Sequence, residues 1–224
     1  MTPLWHPSPN FGARRDGLSP SLIVLHYTAM ENAAAALARL CDPAAEVSAH
    51  YLIGADGTLW QMVDEAARAW HAGAGSWAGC GDVNSRSIGI ELDNRGDHPF
   101  SEPQMATLET LLPGIMARWG IGPSGVIGHS DMAPGRKRDP GARFDWARLA
   151  GQGLALPHRP GQGGAASPEG FRALAVAAGY PADGGLDELL EAVRHRLRPW
   201  GRGKLAQGDM DALAGLVAAQ AALV

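Results

Sequence analysis

Three residues that lie far apart in the sequence have side chains able to bind one metal ion. His26 ends an apolar run, and His129 and Asp139 lie in the segment Gly-His-Ser-Asp-Met-Ala-Pro-Gly-Arg-Lys-Arg-Asp-Pro-Gly. Imidazole nitrogens and carboxylate oxygens are zinc ligands, and three protein ligands leave the fourth tetrahedral position open for water. Because a metal acidifies such a water molecule, this set of residues predicts a hydrolase.

The sequence around each of these residues predicts a strand end or a loop. The β-branched, apolar run from 22 to 27 predicts a strand that presents His26 at its end, and Val126-Ile127-Gly128 predicts a short buried strand leading into His129. The Pro- and Gly-rich segment from 133 to 141 carries Asp139 and predicts a loop. The sequence therefore places His26 and His129 at strand ends and Asp139 in a loop.

A fourth candidate, Glu91, lies in a predicted strand from Ser87 to Leu92. Side chains alternate between the two faces of a strand. The apolar residues 88, 90 and 92 therefore share one face, and Ser87, Gly89 and Glu91 share the other. We expect Glu91 to point away from the apolar layer and toward a cleft.

Further elements follow from turn and capping signals. Asp56-Gly57, between apolar runs at 50–53 and 58–62, predicts a hairpin with a tight primed turn. Residues 32–40 predict a helix. Strands that alternate with helices place this part of the chain in the α/β or α+β class.

A long helix is predicted from Ser101 to about Trp119. Ser101 and Gln104 fit a capping box, in which each side chain satisfies a backbone N–H at the helix start. Pro113 falls inside this helix and cannot donate a backbone hydrogen bond, so we expect a kink or a break there.

The composition changes after residue 150. We predict a first domain at 1–155, a Gly- and Pro-rich linker at 156–166, and a three-helix domain at 167–224. Ser167 followed by Pro168 predicts the start of the first of these helices. So small a bundle is expected to lean on the first domain for its stability.

Charge and composition exclude several functional classes. The formal net charge of −4 gives no broad attraction to phosphate backbones or anionic lipids, which argues against nucleic acid as a partner. No apolar run approaches the roughly 18 residues that a membrane-spanning helix needs. The 2 cysteines, Cys41 and Cys80, are too few for a disulfide framework, although a single bridge between them stays open. The first residues lack a signal-peptide pattern, so we expect a cytoplasmic protein.

Several sequence blocks between residues 22 and 146 resemble one known family. The family is that of the zinc-dependent N-acetylmuramoyl-L-alanine amidases of type 2, which are related to peptidoglycan recognition proteins. The blocks are Val-Leu-His-Tyr-Thr-Ala, Ser-Ala-His-Tyr-Leu-Ile, Ala-Trp-His-Ala-Gly, Ser-Ile-Gly-Ile-Glu-Leu-Asp-Asn and the segment from 128 to 141. The C-terminal part resembles a degenerate peptidoglycan-binding three-helix module, as in AmiD-type members, and such a module favours a periplasmic location as the alternative.

The resemblance implies a fold and a set of roles. The implied fold is an α/β fold with a mixed central β-sheet flanked by helices and a small C-terminal three-helix domain. The implied zinc ligands are His26, His129 and Asp139, with Glu91 as the catalytic carboxylate and Lys137 as a catalytic cation. The implied substrates are peptidoglycan fragments or muropeptides, cleaved between N-acetylmuramic acid, or its 1,6-anhydro form, and L-alanine. We expect a monomer.

General chemistry agrees with these roles. Amide hydrolysis needs an activated water molecule, a group that takes and returns its proton, and a positive site for the carbonyl oxygen. A zinc ion, Glu91 and Lys137 would supply them. Two alternatives remain open at this point, namely a non-catalytic peptidoglycan-recognition module and a zinc peptidase that acts elsewhere in the stem peptide.

The remaining polar and aromatic residues receive simpler predictions. We expect Trp70, His71 and Asn94 to contact substrate, and Trp77 to form a groove wall. We expect Trp119 and Trp146 in the core, His50 in a structural hydrogen bond or the groove, and Cys80 as an ordinary loop thiol. The residues expected to face solvent are Arg136, Arg138, His6, His98, His158 and His195.

Overall fold

The computed structural model describes residues 2–157 and 159–223, so that His158 lies outside the described residues. A six-stranded sheet with the strand order β1-β5-β4-β7-β3-β8 forms the centre, and a second sheet pairs β2 with β6. β4 and β5 are antiparallel, whereas the other neighbours in the large sheet are parallel. The strands are β1 (Leu4–Trp5), β2 (Phe11–Gly12), β3 (Leu22–Tyr27), β4 (Tyr51–Ile53), β5 (Leu59–Gln61), β6 (Arg68–Ala69), β7 (Ser87–Leu92) and β8 (Val126–Gly128).

Helices cover both faces of this sheet, which confirms the predicted mixed sheet flanked by helices. The helices are α1 (Ala33–Cys41), α2 (Val83–Arg86), α3 (Glu102–Trp119), α4 (His129–Met132), α5 (Trp146–Gly151), α6 (Pro168–Ala177), α7 (Leu186–Leu197) and α8 (Gln207–Ala221). None of the helices in the described ranges is both long and apolar enough to cross a membrane.

β3 divides its apolar side chains between two hydrophobic clusters, whereas those of the neighbouring β7 belong to one. Ile23 and Leu25 of β3 pack in the cluster that contains α3 residues, together with the apolar residues of β7. Leu22 and Val24 pack in the other cluster. Because β3 and β7 are parallel and in register, with His26 beside Glu91, the alternation predicted for β7 places both of these polar side chains on the second face.

The predicted hairpin is confirmed, but its turn differs from the predicted one. Leu52 pairs with Trp60, and the Gly54 N–H donates to the Thr58 carbonyl over 2.8 Å. The loop therefore has three residues, of which Gly57 alone takes a positive φ, at 86°. A primed two-residue turn would need positive φ at both central residues.

Of the kink or break predicted at Pro113, the break does not occur, because α3 continues through this residue as one helix. Pro113 lies on the exposed side, while Leu108, Leu112 and Ile115 on the opposite side are fully buried. Burial of this apolar stripe holds the helix together despite the missing hydrogen bond, since tertiary packing supplies most helix stability.

Only half of the predicted capping box forms. Ser101 Oγ accepts from the Gln104 N–H over 3.4 Å, as expected for an N-cap. The Gln104 side chain does not return to the cap and instead donates to the carbonyls of Ile53 and Asp93 over 2.8 and 3.2 Å. The start of α3 is thereby attached to the ends of β4 and β7.

The C-terminal helices α6, α7 and α8 share a hydrophobic cluster with the sheet. Phe171, Tyr180 and Leu190 belong to the same cluster as Val24 and Ile127. The predicted linker is also packed: the Gly161 N–H donates to the carbonyl of α8 residue 211 over 2.8 Å. The helices thus lean on the sheet as expected, and the division into two domains stays a proposal.

Both cysteines are free thiols in the structure. Cys41 at the end of α1 is half-buried, and Cys80 lies exposed in a loop. The bridge between them left open by the sequence does not form.

Candidate active site

Three candidate ligand atoms converge at one end of the sheet. The Nδ1 atoms of His26 and His129 are 2.9 Å apart, and each is 2.9 Å from Oδ2 of Asp139. They come from the end of β3, the start of α4 and the loop before α5, and all three residues are buried. The structure therefore brings together the metal-ligand set predicted from the sequence.

The hydrogen bonds of His129 show which of its two ring nitrogens is available to bind a metal. Nε2 lies 2.8 Å from the carbonyl oxygen of Ala72, which can only accept, so Nε2 carries the proton and Nδ1 carries the lone pair. Two zinc ligands at about 2.0–2.1 Å from the ion in a tetrahedron are roughly 3.3 Å apart. The three atoms would need to separate by only a few tenths of an ångström to hold zinc.

The electrostatics of the cluster also suit a cation. Burial and the neighbouring His129 lower the pKa of His26 to about 4, so that its imidazole is neutral at neutral pH. Although burial opposes it, contact with His129 and His26 lowers the pKa of Asp139 well below its usual value, so the carboxylate is ionised. A neutral imidazole at His26 and an ionised carboxylate at Asp139 are the protonation states that a metal requires.

Glu91 lies next to His26 in the register of β3 and β7 and lines the same cleft. Its Oε2 is buried, and none of the groups in the described residues hydrogen-bonds to it. Burial and the charge of Asp139 raise the pKa of Glu91 to about 8, and the charge of Lys137 opposes this shift. A carboxyl group with so high a pKa can hold and release a proton near neutral pH, as a general acid or base must.

The cleft that contains these residues has a volume of about 460 Å³. Lys137 lines it and is half-buried, two residues before Asp139. Trp70, predicted to contact substrate, also lines the cleft, as does Arg39 of α1, which is exposed. The cleft thus combines an aromatic wall, cations and the ligand cluster.

Two further residues predicted to contact substrate differ in position. His71 lines the cleft, and both of its ring nitrogens have partners, His26 Nε2 at 3.0 Å and Ser87 Oγ at 3.1 Å. Asn94 is 2% exposed and lies outside the cleft. Its side chain accepts from the Gly96 N–H over 2.7 Å and donates within the same loop, so the structure supports a loop-stabilising role for it.

The predicted groove wall at Trp77 is wrong. Trp77 is 4% exposed and packs edge-on against Tyr180, with ring centroids 5.2 Å apart. Gly179 lies against the indole, where a Cβ would come within 2.9 Å of it. The C-terminal part of the chain buries this ring, which sequence-local reasoning could not show. Trp146 is buried as predicted.

Trp119, predicted in the core, is half-buried, and its indole N–H donates to Glu65 Oε2 over 2.6 Å. Arg136 is exposed, as predicted. Its guanidinium also donates to the carbonyls of Ala72 and Ala74 and so braces the segment that orients His129. This exposed cation is therefore also a structural part of the site.

The other basic residues mostly follow the predictions. His6, His98 and Arg138 are exposed, and Arg138 pairs with Glu191 of α7. The prediction that His195 faces solvent is wrong, since its side chain is only 17% exposed. The structural alternative for His50 holds: its buried Nδ1 accepts from the Gly89 N–H over 2.9 Å, and Nε2 lies 3.2 Å from the carbonyl of residue 67.

Sequence reasoning missed two polar residues behind the cluster. Ser87 contacts His71, and the signal for it was available, because Ser87 alternates with Gly89 and Glu91 on the cleft face. Asn84 accepts from the N–H groups of residues 71 and 72 over 3.1 and 2.8 Å. No local pattern marks Asn84, because its partners are a dozen residues earlier in the chain.

The sequence profile of the N-acetylmuramoyl-L-alanine amidase family matches residues 16–142, more than half of the 224-residue chain. The matched range contains β3, β7, β8 and all three candidate metal ligands.

Individual relatives agree with this match. The chain is 42% identical over 149 residues to the N-acetylmuramoyl-L-alanine amidase AmiD of Escherichia coli (strain K12), which covers 59% of this chain and 53% of AmiD. It therefore matches about half the length of that relative. It is 35% identical over 160 residues to the 1,6-anhydro-N-acetylmuramyl-L-alanine amidase AmpD of Citrobacter freundii, covering 64% of this chain and 86% of AmpD.

The fold is similar over a longer range. The structure of AmiD from E. coli, in complex with the substrate anhydro-N-acetylmuramic acid-L-Ala-D-γ-Glu-L-Lys, superimposes with a TM-score of 0.79 and 30% identity over 91% of both chains. The similarity in fold thus extends beyond the range matched in sequence and includes C-terminal helices. Taken with the profile match, these findings show that the chain belongs to the N-acetylmuramoyl-L-alanine amidase family.

Proposed function

We propose that this protein is a zinc-dependent hydrolase that cleaves the amide bond between N-acetylmuramic acid, or its 1,6-anhydro form, and the L-alanine of peptidoglycan stem peptides. The observation that carries the proposal is the convergence of three ligand atoms in a cleft that also holds Glu91 and Lys137. The family match supports the type of bond, and the substrate in the AmiD complex supports the type of substrate.

His26, His129 and Asp139 would hold the metal, which when bound would supply Lewis-acid activation of a water molecule and of the substrate carbonyl. Glu91 would take the proton from the attacking water as the C–O bond forms. The protonated Glu91 would then return it to the alanine nitrogen as the C–N bond breaks, so that the amine leaves neutral. A raised pKa suits the second of these steps, because a carboxylic acid must exist long enough to donate.

Lys137 would stabilise the oxygen that gains negative charge in the transition state. Its half-buried position in the cleft favours this role, since a cation is more effective where water is partly excluded. Trp70 would contact the sugar or the peptide through its ring face. We also propose that residues 167–224 form the peptidoglycan-binding-like unit; the cytoplasmic location and the monomeric state stay predictions.

The test is mass spectrometry of products from purified anhydro- and non-anhydro-muropeptides, with the full chain, with and without a chelator, and after zinc is added back. We expect free stem peptide and free muramyl sugar, loss of both with the chelator, and their return with zinc. Cleavage between two amino acids would identify a peptidase. Binding of muropeptide without any product would identify a recognition module.

A further inference from the structure

Behind the metal-ligand candidates, a line of hydrogen bonds runs from His26 into the protein. Nε2 of His26 lies 3.0 Å from Nδ1 of His71, and Nε2 of His71 lies 3.1 Å from Oγ of Ser87. Oγ of Ser87 lies 2.6 Å from the carbonyl oxygen of Val83. Each of these contacts must contain one proton, so the direction of donation can be worked out from the inner end.

The contact between Ser87 and Val83, at the inner end of this line, fixes the position of the first proton. A backbone carbonyl oxygen can only accept, and two oxygens 2.6 Å apart need a proton between them, so the Ser87 hydroxyl donates to Val83. A hydroxyl has a single proton. Toward His71, Ser87 can therefore only accept, and Nε2 of His71 must be the donor.

The same reasoning then assigns the protonated nitrogen of His71 and of His26. A neutral imidazole carries one N–H, so His71, protonated at Nε2, presents a lone pair at Nδ1. That lone pair accepts from Nε2 of His26. His26 is then protonated at Nε2, and its Nδ1 presents a lone pair on the side of His129 and Asp139. This assignment leaves no proton among the three candidate ligand atoms, so a bound cation would take the place of a proton there.

The backbone makes room for His71 at one position of β7. A Cβ at residue 89 would lie 2.4 Å from Cγ of His71, so only glycine allows the ring to lie across the strand between Ser87 and His26. The ring thus occupies the space beside β7 that the alternation of Ser87, Gly89 and Glu91 leaves open.

One segment orients both histidines of the cluster. Asn84 Oδ1 accepts from the backbone N–H groups of His71 and Ala72 and so fixes this dipeptide. The Ala72 carbonyl accepts from Nε2 of His129, while the neighbouring His71 ring accepts from Nε2 of His26. Both imidazoles therefore have their Nδ1 lone pair directed at Asp139.

We propose that His71 and Ser87 are positioning residues, which set the tautomer of His26 so that its Nδ1 is ready to bind the metal. The inference rests on the proposed function in one respect, namely that His26 is a metal ligand. In this role His71 does not contact the reacting atoms. Partners of this kind around a metal site typically change metal affinity by about 10- to 100-fold when they are removed.

The first test reads the tautomer directly. Long-range ¹H–¹⁵N correlation spectra of the full-length, zinc-loaded protein at neutral pH distinguish a protonated Nε2 from a protonated Nδ1 in each imidazole. We expect the Nε2–H form for His26 and for His71. An Nδ1–H form of either residue in the wild-type protein would overturn the proposal.

The second test compares zinc affinity, measured by competition with a chromophoric chelator, among variants of the full chain. His71→Leu keeps much of the volume but has no acceptor, and we expect a loss of about 10- to 100-fold. His71→Asn places an oxygen near the position of Nδ1, so it should restore most of the affinity. Ser87→Ala removes the group that directs the His71 proton and should cause a smaller loss.

Equal losses in His71→Leu and His71→Asn, or wild-type affinity in His71→Leu, would contradict the proposal. Circular dichroism of each metal-free variant checks folding, and the wild-type spectra remain decisive if a variant does not fold. A protein with the expected tautomers and zinc affinities that cleaves no muropeptide would refute the proposed function and leave this inference standing. Full hydrolysis by a protein with the wrong His26 tautomer would do the reverse.

Discussion

Arg196 of α7 forms a buried ion pair with Asp131 of α4, with 2.7 Å between Nη1 and Oδ2. Asp131 lies two residues after His129, and its Oδ2 also accepts from the Gly128 N–H over 2.8 Å. Its Oδ1 accepts from the hydroxyl of Tyr180 over 2.9 Å. The C-terminal helices therefore hold the turn that presents one of the metal-ligand candidates.

This relationship predicts that Arg196→Met destabilises the protein strongly. The variant leaves Asp131 buried without its cation, which typically costs about 3–5 kcal/mol. Arg138→Met, which breaks the exposed pair with Glu191, is the matched control and should cost about 0–1 kcal/mol. Urea denaturation monitored by circular dichroism measures both values. Equal losses of unfolding free energy in the two variants would show that the buried pair with Asp131 stabilises the protein no more than an exposed pair does.

Glu91→Gln should keep its zinc and lose turnover. The amide has nearly the size and shape of the carboxyl group but cannot take a proton from water, and general acid–base catalysis is typically worth about 10²–10⁴-fold. Hydrolysis of a soluble muropeptide and zinc content per chain are measured on the same sample. Unchanged turnover at full zinc content would remove Glu91 from the chemistry.

Asp139→Ala should lose the metal itself. The variant removes the charged member of the ligand set and leaves two neutral imidazoles, which bind a divalent cation far more weakly. Asp56→Ala, in the exposed hairpin loop, is the control and should retain zinc. Atomic absorption after dialysis against a weak chelator gives the occupancy. A fully loaded Asp139→Ala protein would mean that another residue is the third ligand.

The raised pKa of Glu91 predicts a pH-dependent stability of the metal-free protein. Burial raises this pKa from 4.5 to about 8, so the folded state keeps a proton that the unfolded chain releases. The stabilisation from this group is complete below about pH 4.5 and is lost as the pH rises through about 8. Glu91→Gln has no such proton to lose.

In a chelator-treated sample, the free energy of unfolding of Glu91→Gln relative to wild type should therefore increase from pH 5 to pH 9, by on the order of a few kcal/mol. Denaturation curves at matched ionic strength measure this difference. A constant difference across that range would show that Glu91 is not buried in an uncharged form.

Local periodicity accounted for the positions of the candidate ligands in their elements. The alternation in β7 placed Glu91 on the face opposite the apolar layer, and the short runs before His26 and His129 marked the strands that present them. These predictions were correct because the two faces of a central strand pack against different neighbours. The polarity of the residues therefore alternates along the strand.

Failures occurred where the partner of a residue is distant in the chain. Trp77 beside a glycine-rich loop predicts an open groove, but Tyr180 and Gly179 cover it. Gln104 fits a capping box, but the ends of two strands offer carbonyls within reach. Pro113 predicts a kink or a break, and the break does not occur because burial of the opposite side keeps the helix continuous.

The sequence by itself determined the residue types that can bind a metal, the strands that carry them and the family to which the chain belongs. Only the tertiary structure decided that Asn84, His71 and Ser87 orient the two imidazoles and that α7 braces the turn at His129. The physical reason is that a hydrogen bond is set by distance and direction in space. Sequence patterns report on neighbours within a few residues, and these partners meet only when the sheet and its helices pack together.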